Sequence, residues 1–127
     1  MYDTSVVIDV EQVDLGEYLD AAVVVSAVTV GELAYGAGLK DQVARELRLR
    51  RVLNTCEVLP FGVEEAKLYG VLADLLRAAG RNPRPRRLDL QIAATAAAAR
   101  LPLLTRNPDD FVGVSRLVDV VQIHRAT

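Results

Sequence analysis

The run Val23-Val24-Val25-Ser26-Ala27-Val28 constrains this chain most. It is rich in β-branched residues and almost wholly apolar. It lacks the polar–apolar alternation of a strand with one wet face, so it reads as a strand buried on both faces. Such a strand needs helices above and below it, and the sequence supplies them. From Val63 to Ala79, the residues Leu68, Leu72, Leu75, Leu76 and Ala79 form one apolar stripe, which Gly80 ends. From Leu88 to Arg100, Leu88, Ile92 and Ala96 recur every four residues, and the alanines between them let a helix lie close to a sheet. Leu39, Val43 and Leu47 carry a further helical spacing. Helices are also expected from about Val6 and from near Thr29. Strands are expected at Met1–Thr4, Cys56–Phe61, Leu103–Thr105 and Val118–Ile123. Strands alternating with helices predict an α/β fold, a parallel β-sheet flanked by helices on both faces. The 127 residues fit one domain, 1–127, and the hydrophobic share of 51% is ample for its core. The Pro-rich stretch Asn82–Pro85 is a loop, too short to divide the chain.

The charge balance excludes some functions. There are 15 basic and 17 acidic residues, a net charge of −2, so no overall positive field announces nucleic acid. Any such contact must come from local patches or from bound metal. The single cysteine, Cys56, rules out an internal disulfide or a multi-cysteine zinc site, and reads as a small buried hydrophobe in a reducing compartment. Asp3 interrupts any apolar start, so no signal peptide is expected. The longest apolar run, Ala21 to Val30, falls short of the roughly 20 residues that span a bilayer. A cytoplasmic protein without membrane association is expected.

In parallel sheets, ligands gather beyond the carboxyl ends of the strands. The first strand ends in Asp3-Thr4-Ser5 and the second runs on to Glu32. The strand at Leu103 leads into Thr105-Arg106-Asn107-Pro108-Asp109-Asp110, and Asp89 opens an otherwise apolar helix. Asp3, Glu32, Asp89 and Asp110 are therefore candidates to converge on one sheet edge. Each also has a purely structural reading. Asp3 can cap the next helix, and Thr29 with Glu32 matches a capping box. Asp89 suits a helix dipole, and Asp110 can cap a turn. Taken together, several carboxylates at one edge repel unless a cation sits between them. Hard divalent ions such as Mg²⁺ or Mn²⁺ take oxygen ligands and suit phosphate substrates.

These segments resemble a known family. Asp3-Thr4-Ser5-Val6-Val7-Ile8-Asp9 is similar to the opening motif of PIN domains. Ser26 to Gly36, with Glu32-Leu33, resembles the second motif as it stands in VapC toxins of VapBC toxin–antitoxin pairs. Asp89-Leu90-Gln91-Ile92-Ala93-Ala94 resembles the third, and Leu104 to Phe111 the fourth. The resemblance implies a metal-dependent endoribonuclease using Mg²⁺ or Mn²⁺, with tRNA or rRNA as the expected substrate class. It also implies a cognate VapB-like antitoxin and a homodimer. Carried over, the catalytic, metal-binding acids fall on Asp3, Glu32, Asp89 and Asp110. In the fourth motif Asn107, Asp109 and Asp110 compete for one place, which Asp110 takes here with Asn107 in support.

Around these acids, Thr4, Ser5 and Thr105 can orient carboxylates or merely cap helices. Arg84, Arg86 and Arg87, together with Arg106, are candidate RNA contacts. For the first three the alternative is a solvated loop, and for Arg106 the neutralising of nearby acids. Arg45, Arg48, Arg50 and Arg51 read as an exposed helix face. Ser5 stands where an Asp-based phosphatase wants a second aspartate, and Arg106 where a receiver domain wants lysine. No nucleophile elbow or Gly-rich phosphate loop occurs, and the sole histidine, His124, stands at the end of the last expected strand. The alternative from another class is a catalytically silent PIN fold that binds RNA or protein; four retained acids weigh against it.

Overall fold

The structure is a computed structural model describing residues 1–127. In chain order its elements are α1 (Thr4–Ile8), β1 (Val13–Asp14), β2 (Val24–Ser26), α2 (Ala27–Tyr35), α3 (Gln42–Thr55), β3 (Glu57–Leu59), α4 (Val63–Ala78), α5 (Arg87–Ala99), β4 (Leu103–Thr105), β5 (Val120–Gln122) and β6 (His124–Arg125). Residues 1–3 lie at the centre of the sheet. The Tyr2 N–H donates to Val24 O at 2.9 Å, while Leu104 N–H donates to Met1 O and Asp3 N–H to Leu104 O, both at 2.8 Å. These bonds stitch together two parallel pairs, β2 with β3 and β4 with β5. The order across the sheet is thus β3, β2, residues 1–3, β4, β5.

Both faces of this sheet are covered, as the apolar strand at Val23 demands. Side chains of consecutive strand residues point to opposite faces. Met1 and Leu103 pack with Leu72, Leu76, Leu90 and Ala94 of α4 and α5. Tyr2 and Leu104 pack with Val6, Leu33 and Val52 of α1, α2 and α3. Leu33, Leu72 and Leu90 are fully buried, each worth about 1.5–3 kcal/mol of apolar burial. The small alanines Ala93, Ala94 and Ala96 are fully buried along α5, the closely packed helix that the sequence suggests. No helix is long and apolar enough to cross a membrane.

Several local expectations shift. β2 stops at Ser26, and α2 begins at Ala27 rather than near Thr29. Ser26 Oγ accepts the Val28 N–H at 3.1 Å and caps the helix there. Thr29 is consequently inside α2, and the capping box with Glu32 does not form. α2 ends where Gly36 takes φ +110°, a left-handed conformation that disfavours any other residue. Cys56 is not in a strand. It closes α3, its N–H bonded to Val52 O at 2.9 Å, and its side chain is half-buried.

Arg48 is not on an exposed face. Only 9% of it is accessible, it donates through Nη2 to Ala37 O, and its Nε has no partner. An antiparallel ribbon of β1 and β6, pairing Asp14 with His124, was not expected. Two-residue strands are too short to carry a periodic signal.

Candidate active site at the carboxyl edge of the sheet

Asp3 leaves the central strand and is 96% buried, with 4% of its surface exposed. It holds the N-cap position of α1, yet its side chain makes no capping bond. Instead Oδ2 accepts two hydroxyl hydrogen bonds, from Ser5 Oγ and from Thr105 Oγ1, each at 2.8 Å. Those hydroxyls are themselves fixed. Ser5 Oγ accepts the Arg106 N–H at 3.1 Å, and Thr105 Oγ1 accepts the Asn107 N–H at 3.0 Å. The turn after β4 therefore locks the carboxylate that leaves the neighbouring strand, and both hydroxyls converge on one oxygen.

Glu32 projects from α2 and is held from the side. The Thr4 hydroxyl donates to Glu32 Oε1 at 2.8 Å and lies 3.0 Å from the Thr29 hydroxyl. Ser26, at the end of β2, and Thr95 pin that strand to α5. Thr95 Oγ1 donates to Gln91 O at 2.9 Å, so Ser26 Oγ donates to Thr95 Oγ1 across their 2.9 Å contact. Asp89 occupies the first turn of α5. Asp110 stands in the short 3-10 turn Pro108–Phe111, where it makes no capping bond and pairs with Arg86 at 3.1 Å.

The charges of these four acids are coupled. Burial and the charges of Asp3, Asp110 and Glu32 push the Asp89 carboxyl up to about 7, against a smaller opposite pull from Arg86. The positive end of the α5 dipole favours its ionised form, and the other effects outweigh it. Burial also raises the Asp3 carboxyl, opposed by its hydrogen bonds from Thr105, Ser5 and the Thr4 backbone, with the Asp110 charge adding to the rise. Glu32 moves up through burial, opposed by the Thr4 hydroxyl, with the Asp3 charge adding.

The acids do not close into a ready-made cage of three or more ligands. A hard ion such as Mg²⁺ commonly binds through one or two carboxylates and several waters. The donors are oxygen only and the uncompensated charge is negative, so the residues fit a hard divalent cation.

The structure brings Asp3, Glu32, Asp89 and Asp110 together electrostatically, from four separate parts of the chain. Asp109 is exposed and lies outside this set. Asn107 is exposed as well; it contributes its backbone, through the N–H to Thr105 and a carbonyl that accepts the Asp110 N–H at 3.1 Å. Arg106 is engaged by Asp9, so its guanidinium serves the neighbouring acid. Of the basic stretch, Arg86 holds Asp110, Arg87 Nη1 donates to Arg84 O at 3.0 Å, and Arg84 is exposed. Sequence reasoning passed over Ser26 and Thr95. Their only signal was two small hydroxyl residues on otherwise apolar core faces.

A parallel sheet wrapped by helices, with buried and half-buried carboxylates at its carboxyl edge, defines an α/β domain built around an acidic centre. The PIN domain family model matches residues 1–117, and the chain belongs to that family. Ribonuclease VapC5 of Mycobacterium tuberculosis is 34% identical over 126 residues, spanning 93% of this chain and 89% of that protein. Among solved structures, VapBC-5 of Mycobacterium tuberculosis, a member of the VapBC family of toxin–antitoxin systems, superposes with a TM-score of 0.69 at 29% identity, covering 97% of this chain and 95% of that one. FitAcB of Neisseria gonorrhoeae superposes with a TM-score of 0.73 at 26% identity, covering 95% of each chain.

Proposed function

We propose that this chain is a metal-dependent endoribonuclease and the toxin of a type II toxin–antitoxin pair, acting in the cytoplasm. One observation carries the reading: buried and half-buried carboxylates from four parts of the chain gather at the sheet edge, where burial and the charges of Asp3, Asp110 and Glu32 push Asp89 up to about 7. The ribonuclease named among the relatives supports the activity. Asp3, Glu32, Asp89 and Asp110 would hold Mg²⁺ or Mn²⁺. When bound, such an ion supplies Lewis acidity to a phosphodiester and makes water a better nucleophile near neutral pH. The protein's part is orientation. Ser5 and Thr105 fix Asp3, Thr4 fixes Glu32, and Arg86 tethers Asp110. Positioning groups of this kind commonly govern activity by 10–100-fold. The RNA class proposed is tRNA or rRNA, with the exposed Arg84 and Arg87 as candidate phosphate contacts. Purified protein is expected to cut structured RNA with Mg²⁺ or Mn²⁺ and to stop on addition of EDTA. Equal cleavage in EDTA rejects the metal mechanism, and RNA binding without cleavage under any ion leaves a binding module.

The partner proposed is a VapB-like antitoxin. A cavity of about 520 Å³ lies between the end of α1 and α3, lined by Val7, Leu39 and Val52, with Arg48 in its wall. Its apolar lining would take the side chains of a bound peptide. Self-association is proposed as well. Val43 and Leu47, one turn apart on α3, are 63% and 57% exposed. Co-expression with an adjacent antitoxin frame is expected to restore growth and yield a stable complex. Light scattering of the toxin alone is expected to show twice 13.8 kDa. A complex that fails to form removes the toxin–antitoxin assignment, and a monomer at micromolar concentration removes the dimer.

A further inference from the structure

Beside the acidic centre, between α2 and α5, runs an open trough of about 550 Å³ lined by Val28, Gly31, Glu32, Tyr35, Leu88 and Gln91. Glu32 belongs to both: it faces the trough, and its charge acts on Asp89. Three features of the trough have no role in holding the fold together. Tyr35 is 88% exposed, a large aromatic ring left in water one turn beyond Glu32, on the same side of the helix. Gly31 sits inside α2 with ordinary helical geometry, where glycine weakens a helix relative to alanine. A Cβ there would meet nothing within 4 Å, so neither a close neighbour nor a positive φ requires it. Gln91 gives its backbone carbonyl to Thr95 and leaves its side-chain amide free of protein partners.

We propose that this trough is a nucleobase subsite, in which Tyr35 stacks on the unstacked base of a nucleotide adjoining the phosphate that reaches the acidic centre. The inference rests on the ribonuclease reading and narrows its substrate to RNA with a splayed, single-stranded base at the cut. The chemistry of the trough selects this occupant. No cationic side chain lines it, Arg45 and Arg48 being engaged by the carbonyls of Tyr35 and Ala37, and Glu32 lies at its edge, so the trough suits a neutral base better than a phosphate. An exposed aromatic beside a reactive centre offers the sequence-tolerant face on which bases stack. The missing side chain at Gly31 keeps the floor open to a flat ring. The Gln91 amide, with both donor and acceptor atoms, can meet a base edge.

The test uses the full chain. Tyr35→Ala is expected to lower kcat/KM on a stem–loop RNA by roughly 5- to 100-fold, mostly through KM. Tyr35→Phe and Tyr35→Trp are expected to keep most of the activity. The sequence has no tryptophan, so Tyr35→Trp installs the sole indole. Its emission should be quenched on titration with single-stranded octaadenylate in EDTA, where no cleavage is expected, and unchanged by an abasic octamer of the same charge. Gly31→Ala should raise the melting temperature. Gly31→Leu should fold as well as the parent yet lose both cleavage and quenching. A Tyr35→Ala protein that cuts like the parent, or an indole indifferent to octaadenylate, overturns the subsite. So does a Tyr35→Ala protein that binds octaadenylate normally but no longer dimerises or holds its antitoxin. If the indole is quenched by octaadenylate while the parent cuts no RNA, the subsite stands and the nuclease reading falls.

Discussion

Replacing Asp89 by asparagine is expected to lower RNA cleavage by on the order of 100-fold or more, while leaving the metal-free protein as stable as the parent or more so. The two readings of Asp89 differ in the sign of the stability change. A carboxylate that only served the α5 dipole would contribute about 0.3–1 kcal/mol, lost in the amide, with activity intact. In this structure burial and the charges of Asp3, Asp110 and Glu32 oppose its ionisation, and an uncharged isostere relieves both. The mutant should also lose most of the stabilisation by Mn²⁺ that mass action gives the parent. Asp109→Asn is the control, since Asp109 is exposed and outside the coupled set. Melting curves with and without Mn²⁺, run beside a cleavage assay, decide the matter. A mutant that melts lower in EDTA and still cuts RNA shows Asp89 to be a cap.

In EDTA, the parent is expected to lose stability as pH rises from 5 to 7. Asp89 ionises near 3.9 in an unfolded chain and at about 7 in the folded one. Between those values the folded state keeps a proton that the unfolded state has released, so the free energy of unfolding falls with rising pH. Below that window both states are protonated and no penalty remains; above it the penalty is complete. Asp3 and Glu32, also raised, act in the same direction. The Met1 amine, lowered by burial, acts the other way toward pH 8, which sets the upper end of the range. Asp89 retains some access to solvent, so screening leaves roughly 1–2 kcal/mol of its contribution, or roughly 3–8 °C in Tm. Mn²⁺ at saturation should flatten the slope, because a cation among the acids removes the reason for holding the proton. A metal-free Tm that is level or rising between pH 5 and 7 is incompatible with this electrostatic account. Asp89→Asn should show a shallower slope than the parent.

Much of this was legible from residue order. The apolar strand at Val23 requires cover on both faces, and Met1, Tyr2, Leu103 and Leu104 alternate between the two cores as strand periodicity demands. The helices at Val63–Ala78 and Arg87–Ala99 lie within a residue of their expected ends, because an apolar stripe sustained over three turns or more is a strong local signal. The four acids could be nominated because each lies near the carboxyl end of a strand or opens a helix, and chain order alone shows that.

Other features depended on contacts between residues far apart in sequence. Ser26 instead of Thr29 caps α2, since either hydroxyl satisfies the local pattern and only the strand's end selects one. Arg48 is buried because Ala37 O lies within its reach, which no helical spacing reveals. Arg106 turns to Asp9 and Arg86 to Asp110, pairings across 97 and 24 positions of chain. By itself, then, the sequence determined the α/β architecture, the placement of four carboxylates and the resemblance to PIN domains, because periodicity and strand ends are local properties. The tertiary structure alone decided which oxygen of Asp3 is held, how far Asp89 resists ionisation and which arginines are already engaged. Those depend on distance and desolvation, which arise only when segments up to 102 residues apart, such as Asp3 and Thr105, are packed side by side.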